Sequence, residues 1–322
     1  MALLLLNLFI GAVDIPVSSV WRILCGGDGA NASWRFIVLE SRLPQAVTAL
    51  FAGGSLAVCG LMMQAIFRNP LADPSILGIS GGAGLGVAIV VLLLGGGVSA
   101  GIAGWGGFVA VVVAAFVGAV AVMALMLLFS GVVRSSALLL IVGVMTGYLA
   151  SSAIMLLNYF SSADGIRSYL MWGMGNFSSV SIDRLPVFAA VSALCLSASA
   201  LLVKPLNILM LGPQYARNLG VDVRLLRNSV IAISGLLTAV TTAFCGPVSF
   251  VGLAVPHLAR LMLRTDDYRR LLPATMLTGM LVALVCNLAC TLPSDGGVLP
   301  VNALTPVVGA PVVLYVMLRK HL

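Results

Sequence analysis

RNPLADPSILGISGGAGLG, residues Arg68 to Gly86, places two prolines, an arginine and an aspartate within its first seven positions, between two long apolar runs. Pro70 and Pro74 each remove a backbone donor, and each disfavours helix at the residue before it. Gly81, Gly82, Gly84 and Gly86 follow, and a glycine-dense helix lets a second backbone come very close. A stiff charged turn followed by a helix built for tight packing is what joins one membrane span to the next.

The rest of the chain fits that reading. Of its 322 residues 61% are hydrophobic and 8% charged, with a mean hydropathy of +1.14, whereas soluble domains carry roughly a quarter charged residues. Apolar runs such as Phe108–Ser130, Ala137–Leu157 and Val187–Val203 approach the ~20 residues that cross a bilayer core as a helix. Barrel strands would alternate polar and apolar positions, and these runs do not. The fold class is therefore all-α, a polytopic transmembrane helical bundle forming one domain over 1–322. Ten hydrophobic segments are predicted, at about 1–13, 44–66, 76–96, 107–130, 137–157, 187–203, 229–244, 247–263, 273–291 and 300–318. The first is short for a span and lacks a basic flank, so the expectation is an incomplete first span.

A net charge of +7 raises the question of nucleic acid, but the placement of the cations answers it. With the N-terminus inside, the inner loops and ends hold Arg68, Arg134, Lys204, Arg217, Arg224, Arg227, Arg260, Arg264, Arg269, Arg270, Arg319 and Lys320. The outer loops hold Arg22, Arg35, Arg42, Arg167 and Arg184, which makes 12 against 5. That is the positive-inside asymmetry of a membrane protein, and the partner it implies is lipid, with no nucleic acid. The six cysteines read as packing residues, Cys286 and Cys290 sharing a helix face. Neither they nor His257 and His321 form a metal-ligand set, and no metal or cofactor is expected.

No Asp, Glu, Lys or Arg falls near the middle of a predicted span. Ion-coupled carriers usually keep such groups as relays, which weakens a secondary transporter acting alone but leaves sodium sites made of carbonyls open. A nucleotide-binding Gly-Lys-Ser/Thr loop is also missing, since Lys204 precedes Pro205 and Lys320 is near the terminus. An external ATPase would need an inner landing site, and residues 205–228 supply the candidate, PLNILMLGPQYARNLGVDVRLLRN. Two short amphipathic pieces, Pro213–Leu219 and Val221–Asn228, are expected to meet at Gly220, a good helix stop. Tyr215, Arg217 and Leu219 would form a knob for a partner's groove; a plain loop held by lipid head groups is the alternative. In GPVSFVGLAVPHLARLMLRTDDYRR, Gly246 to Arg270, Pro256 would permit bending and His257 would bond to neighbouring loops. LPVNALTPVVGAP, Leu299 to Pro311, predicts an irregular last span. No nucleophile–base set is visible, so the chain is read as non-catalytic.

Together these regions resemble the FecCD family, the membrane permeases of ABC importers for ferric siderophores, haem and cobalamin. The landmarks are RLPQ (Arg42–Gln45), the opening motif with Arg68, Asn69, Pro70, Asp73, Pro74 and Gly78, MWGMGNF (Met171–Phe177), ARNLG (Ala216–Gly220), FVGLAVPHLAR (Phe250–Arg260, with Pro256 and His257) and LPVNALTPVVGAP. The resemblance implies the type II importer permease fold, a second copy of the chain as partner, and two cytoplasmic ATPases docking on Gly212, Gln214, Tyr215, Ala216, Arg217, Asn218, Leu219 and Gly220. It also implies a periplasmic or lipid-anchored binding protein on the outer face of a bacterial inner membrane, with an iron chelate ranked first among the cargoes. Members similar to the cobalamin permease carry a second arginine at the position of Gln45, and an Asp and an Arg at those of Asn287 and Thr291. Arg42, Gln45, Asn287 and Thr291 are thus the expected docking positions, with fewer cations than usual, and a binding protein with a less acidic docking surface is predicted.

Overall fold

The computed structural model describes residues 2–26, 31–93, 105–133, 135–292 and 298–321, and among them all regular secondary structure is helical. The first half holds α1 (Ala2–Phe9), α2 (Val17–Leu24), α3 (Ala32–Phe36), α4 (Leu43–Phe67), α5 (Ile79–Ala88), α6 (Trp105–Val132) and α7 (Ser136–Tyr159). The second holds α8 (Ala163–Gly173), α9 (Leu185–Leu201), α10 (Val203–Met210), α11 (Pro213–Asn218), α12 (Val223–Cys245), α13 (Val251–Leu263), α14 (Tyr268–Thr291) and α15 (Val301–His321). Among the described residues five stretches are long and apolar enough to cross a membrane alone: Ala32–Phe67, Gly107–Val132, Ser136–Tyr159, Val223–Cys245 and Tyr268–Thr291. The pair α9–α10 makes a further span bent by 46°, and Ile79–Leu92, Val251–Leu263 and Val301–Val316 are shorter apolar helices. With α1 these account for all ten predicted segments.

The central element is α4. Its apolar window is 83% buried, and it packs against α9, α12, α13 and α14. Small residues make that possible. A methyl group on Gly60 would sit 1.7 Å from the Gly252 carbonyl oxygen of α13, and one on Gly53 2.3 Å from the Gly279 oxygen of α14. Without a hydrophobic driving force between helices in lipid, such backbone-to-backbone contact is a main source of association. The glycine-rich start of α5 does the same against α6, but through two of its four glycines. Methyl groups on Gly82 and Gly86 would lie 2.5 Å from the Gly118 oxygen and 2.1 Å from the Ala114 oxygen. Gly81 and Gly84 meet no backbone closer than ordinary contact.

Local chemistry explains the breaks. α4 stops where Arg68 turns left-handed (φ 48°), and Pro70 lies just beyond. Asp73 then caps a short 3-10 turn, Pro74–Leu77, by accepting from the Ser75 N–H, and Gly78 (φ 76°) redirects the chain into α5. The α9–α10 bend falls at Leu202, and Pro205 in the first turn of α10 has no N–H to offer the Leu201 carbonyl.

Two expectations are corrected. Val221–Asn228 is not a second separate piece of the inner loop: Asp222 caps Val223 onward by accepting from the Arg224 and Leu225 N–H groups, so these residues are the first turns of α12. The last span, for all its prolines, is one helix from Val301 to His321 with Pro306 and Pro311 inside it.

Candidate functional site at the inner rim

The inner motifs converge. Arg68 reaches from the end of α4 to the Leu209 carbonyl of α10 at 3.0 Å. His257 of α13 places Nε2 2.9 Å from the Pro70 carbonyl, the loop contact its sequence position predicts. Arg260, one turn on, donates to Gln64 Oε1 of α4 at 2.6 Å, faces Asp266 at 3.5 Å, and Gln64 donates onward to the Leu253 carbonyl at 3.3 Å. Asp267 caps α14, accepting from the Arg269 N–H and from Asn207 Nδ2 of α10, and these bonds hold its carboxyl below the usual range. A cavity of about 810 Å³ lies among Arg68, Gly212, His257, Arg260 and Tyr268.

Beside this cavity α11 stands out from the bundle. Gly212 (φ 119°) turns the chain, Pro213 starts the helix, and Ala216 alone of its residues is buried. Tyr215 and Leu219 are 63% and 55% exposed, and Arg217 is exposed with them. Two of its hydrophobic side chains are thus turned outward, away from the bundle. Gln214 and Asn218 flank them, also exposed. The helix ends in a glycine cap: Gly220 is left-handed (φ 82°) and the Val221 N–H returns to the Ala216 carbonyl at 2.9 Å.

Sequence reading missed how α11 is tied to the bundle. Immediately after it, Arg224 donates to the Gly131 carbonyl at 2.7 Å. Arg227, buried, donates to Ser130 Oγ at 2.8 Å, to the Ser130 carbonyl, and to the Val133 carbonyl at 3.1 Å. The start of α12, which follows α11, therefore grips the end of α6.

The structure places most of the expected outer docking positions inside the bundle. Arg42, Gln45 and Asn287 are buried, and only Thr291 is partly exposed. Arg42 donates to the Leu8 and Phe9 carbonyls, both at 2.9 Å, and to Val13, capping the end of α1. Gln45 donates to Asn287 Oδ1 at 2.9 Å, Asn287 to Asn7 Oδ1 at 2.8 Å, and Asn7 to the Leu3 and Leu284 carbonyls. Amides stand where members similar to the cobalamin permease carry charges, and in an apolar interior a paired amide costs far less than an ion. They bind α1 to α4 and α14.

The FecCD transport family model matches residues 1–319. The chain belongs to the FecCD transport family. Among its relatives are vitamin B12 import system permease proteins BtuC. That of Klebsiella pneumoniae is 35% identical over 92% of this chain and 86% of its own. That of Salmonella paratyphi A is 33% identical over 99% and 94%. A solved structure described as an inward-facing conformation of a metal-chelate type ABC transporter superposes with a TM-score of 0.82 over 100% of this chain and 97% of its own, at 30% identity. This FecCD chain is thus an importer permease by family and by fold.

Proposed function

We propose that this FecCD permease carries a bulky metal chelate (an iron–siderophore complex, haem or cobalamin) inward across a bacterial inner membrane, driven by two separate ATPase subunits. The carrying observation is α11: a short capped helix with exposed Tyr215, Arg217 and Leu219, followed directly by α12, whose Arg224 and Arg227 bond to the end of α6. A partner moves a two-state bundle only through contacts that differ between the states, and α11 is where such contacts are available. Cobalamin gains weight from the relatives' names, and metal chelates as a class from the neighbouring structure's description. A second copy is proposed to cover α7, whose apolar window is only 17% buried and which shows Tyr148, Leu149 and Met155 at its surface. A binding protein delivers the cargo from outside.

Reconstitution tests this. Proteoliposomes holding the chain with its ATPase and binding protein should accumulate labelled cobalamin or a ferric siderophore only with ATP, and the chain alone should accumulate neither. Uphill accumulation by the chain alone would restore the ion-coupled carrier and sink the proposal.

A further inference from the structure

We infer that the groove at the α9–α10 bend is a binding site for an anionic phospholipid of the inner leaflet. The groove, about 540 Å³, runs between the bent span and α14. Its lower wall is apolar, formed by Ala200 and Val203 on one side and Leu272 and Met276 on the other, and Lys204 and Arg269 stand at its inner end. The bend creates it. α10 departs from the direction of α9 by 46°, and the small exposed Ala200 leaves the gap unfilled.

Charge identifies the occupant. Lys204 and Arg269 are exposed, and among the described residues neither side chain makes an ion pair. The carboxylate nearest in sequence, Asp267, already accepts from the Arg269 backbone and from Asn207, and feels both Arg269 and Arg270. Asp266 faces Arg260. Two cations over one engaged carboxylate leave the inner end of the groove positive. Below them the walls belong to spanning helices whose neighbouring side chains, Leu201 at 80% and Leu277 at 56% exposure, face outward. A free phosphate would use only the cations; a phospholipid uses both parts, phosphate against Lys204 and Arg269 and an acyl chain along Ala200 and Met276. Basic pockets between helices on the cytoplasmic side bind lipid head groups in this way.

The site is separate from α11, and its test reads binding alone, so it stands or falls independently of coupling to an ATPase. The full chain is placed in nanodiscs of phosphatidylcholine with a minor share of phosphatidylglycerol, and retained lipid is counted by native mass spectrometry. Wild type should retain phosphatidylglycerol preferentially, and the double variant K204Q/R269Q should lose about fivefold per cation, about 25-fold together. Ala200→Phe, which keeps both charges but fills the groove, should lower retention as well. Inorganic phosphate added in excess should leave retention unchanged. Equal retention of the two lipids by wild type, unchanged retention in K204Q/R269Q or in Ala200→Phe, or displacement by inorganic phosphate would each overturn the assignment. All three positions are exposed, so the unfolding temperature of each variant should match wild type.

Discussion

Replacing Gly60 with alanine tests the packing that the inner rim depends on. The added methyl would lie 1.7 Å from the Gly252 carbonyl oxygen and 2.4 Å from its carbon, both backbone atoms that cannot swing aside. A carbon–oxygen contact relaxes at about 3.3 Å, so α4 and α13 must part by roughly 1.6 Å along that contact. Three hydrogen bonds span the same interface: His257 to the Pro70 carbonyl at 2.9 Å, Arg260 to Gln64 at 2.6 Å, and Gln64 to the Leu253 carbonyl at 3.3 Å. A shift of that size carries each past hydrogen-bonding range.

Overpacking alone costs about 1–3 kcal/mol, and each lost hydrogen bond about 0.5–1.5 kcal/mol. The sum, about 3–5 kcal/mol after partial relaxation, is a large part of the 5–15 kcal/mol typical of a folded domain. The assay is thermal unfolding of the purified chain in detergent, with Gly173→Ala as control, because a methyl there meets nothing within 4 Å. Gly60→Ala should unfold well below wild type and Gly173→Ala with it. Equal unfolding temperatures for Gly60→Ala and wild type would refute the argument that direct backbone contact holds α4 to α13.

Three further outcomes are expected. Gly220→Val forces a β-branched residue into a left-handed turn (φ 82°) with open space around it, costing about 1–2 kcal/mol locally. Transport by the reconstituted importer should fall while the unfolding temperature barely moves, and full ATP-driven uptake would count against α11 as the coupling element. Arg227→Lys leaves a single ammonium to serve Ser130 and Val133, losing about 2–3 kcal/mol; hydrogen exchange at residues 131–133 should rise, and unchanged protection would contradict the grip described. Burial pushes the Asp73 carboxyl up, against the pull of its Ser75 hydrogen bonds. A folded state that binds this proton more tightly than the unfolded chain loses stability as pH rises from the ordinary carboxylate range through the raised value. Asp73→Asn, which keeps the cap, should flatten that slope in unfolding curves taken from about pH 4 to about pH 7, spanning the carboxylate range; an unchanged slope would remove Asp73 as its source.

What could be read without the structure was whatever is written in neighbouring residues. The turn after α4 was legible because Pro70, Pro74 and Gly78 act on their own backbone. The knob on α11 was legible from Pro213 and Gly220, which bracket it. The start of α12 was misread although its signal was present: Asp222 before an apolar helical run is an N-cap, and treating Gly220 as the join between two pieces hid it. The outer cluster had no local signal at all. Gln45 and Asn287 are 242 positions apart and Asn287 and Asn7 280, and an amide reads the same in a loop as in a core.

The arginines carry the deeper lesson. Counting them by side gives the orientation expected of the chain, because crossing the membrane depends on charge and not on what the side chain later touches. It says nothing of their work in the folded bundle. Arg42 serves the carbonyls of Leu8, Phe9 and Val13 at the end of α1, Arg68 the Leu209 carbonyl near the end of α10, and Arg224 with Arg227 those of Ser130, Gly131 and Val133 at the end of α6. A helix ends with four unpaired carbonyls and a partial negative charge. A guanidinium from another helix satisfies one of them, as Arg68 and Arg224 do, or through its fork two or three together, as Arg227 and Arg42 do. In a chain with so few charges, the same residue type that sets topology thus also ties helix ends together, and the link from α12 to α6 is one instance of a device that Arg42 and Arg68 repeat elsewhere in the bundle.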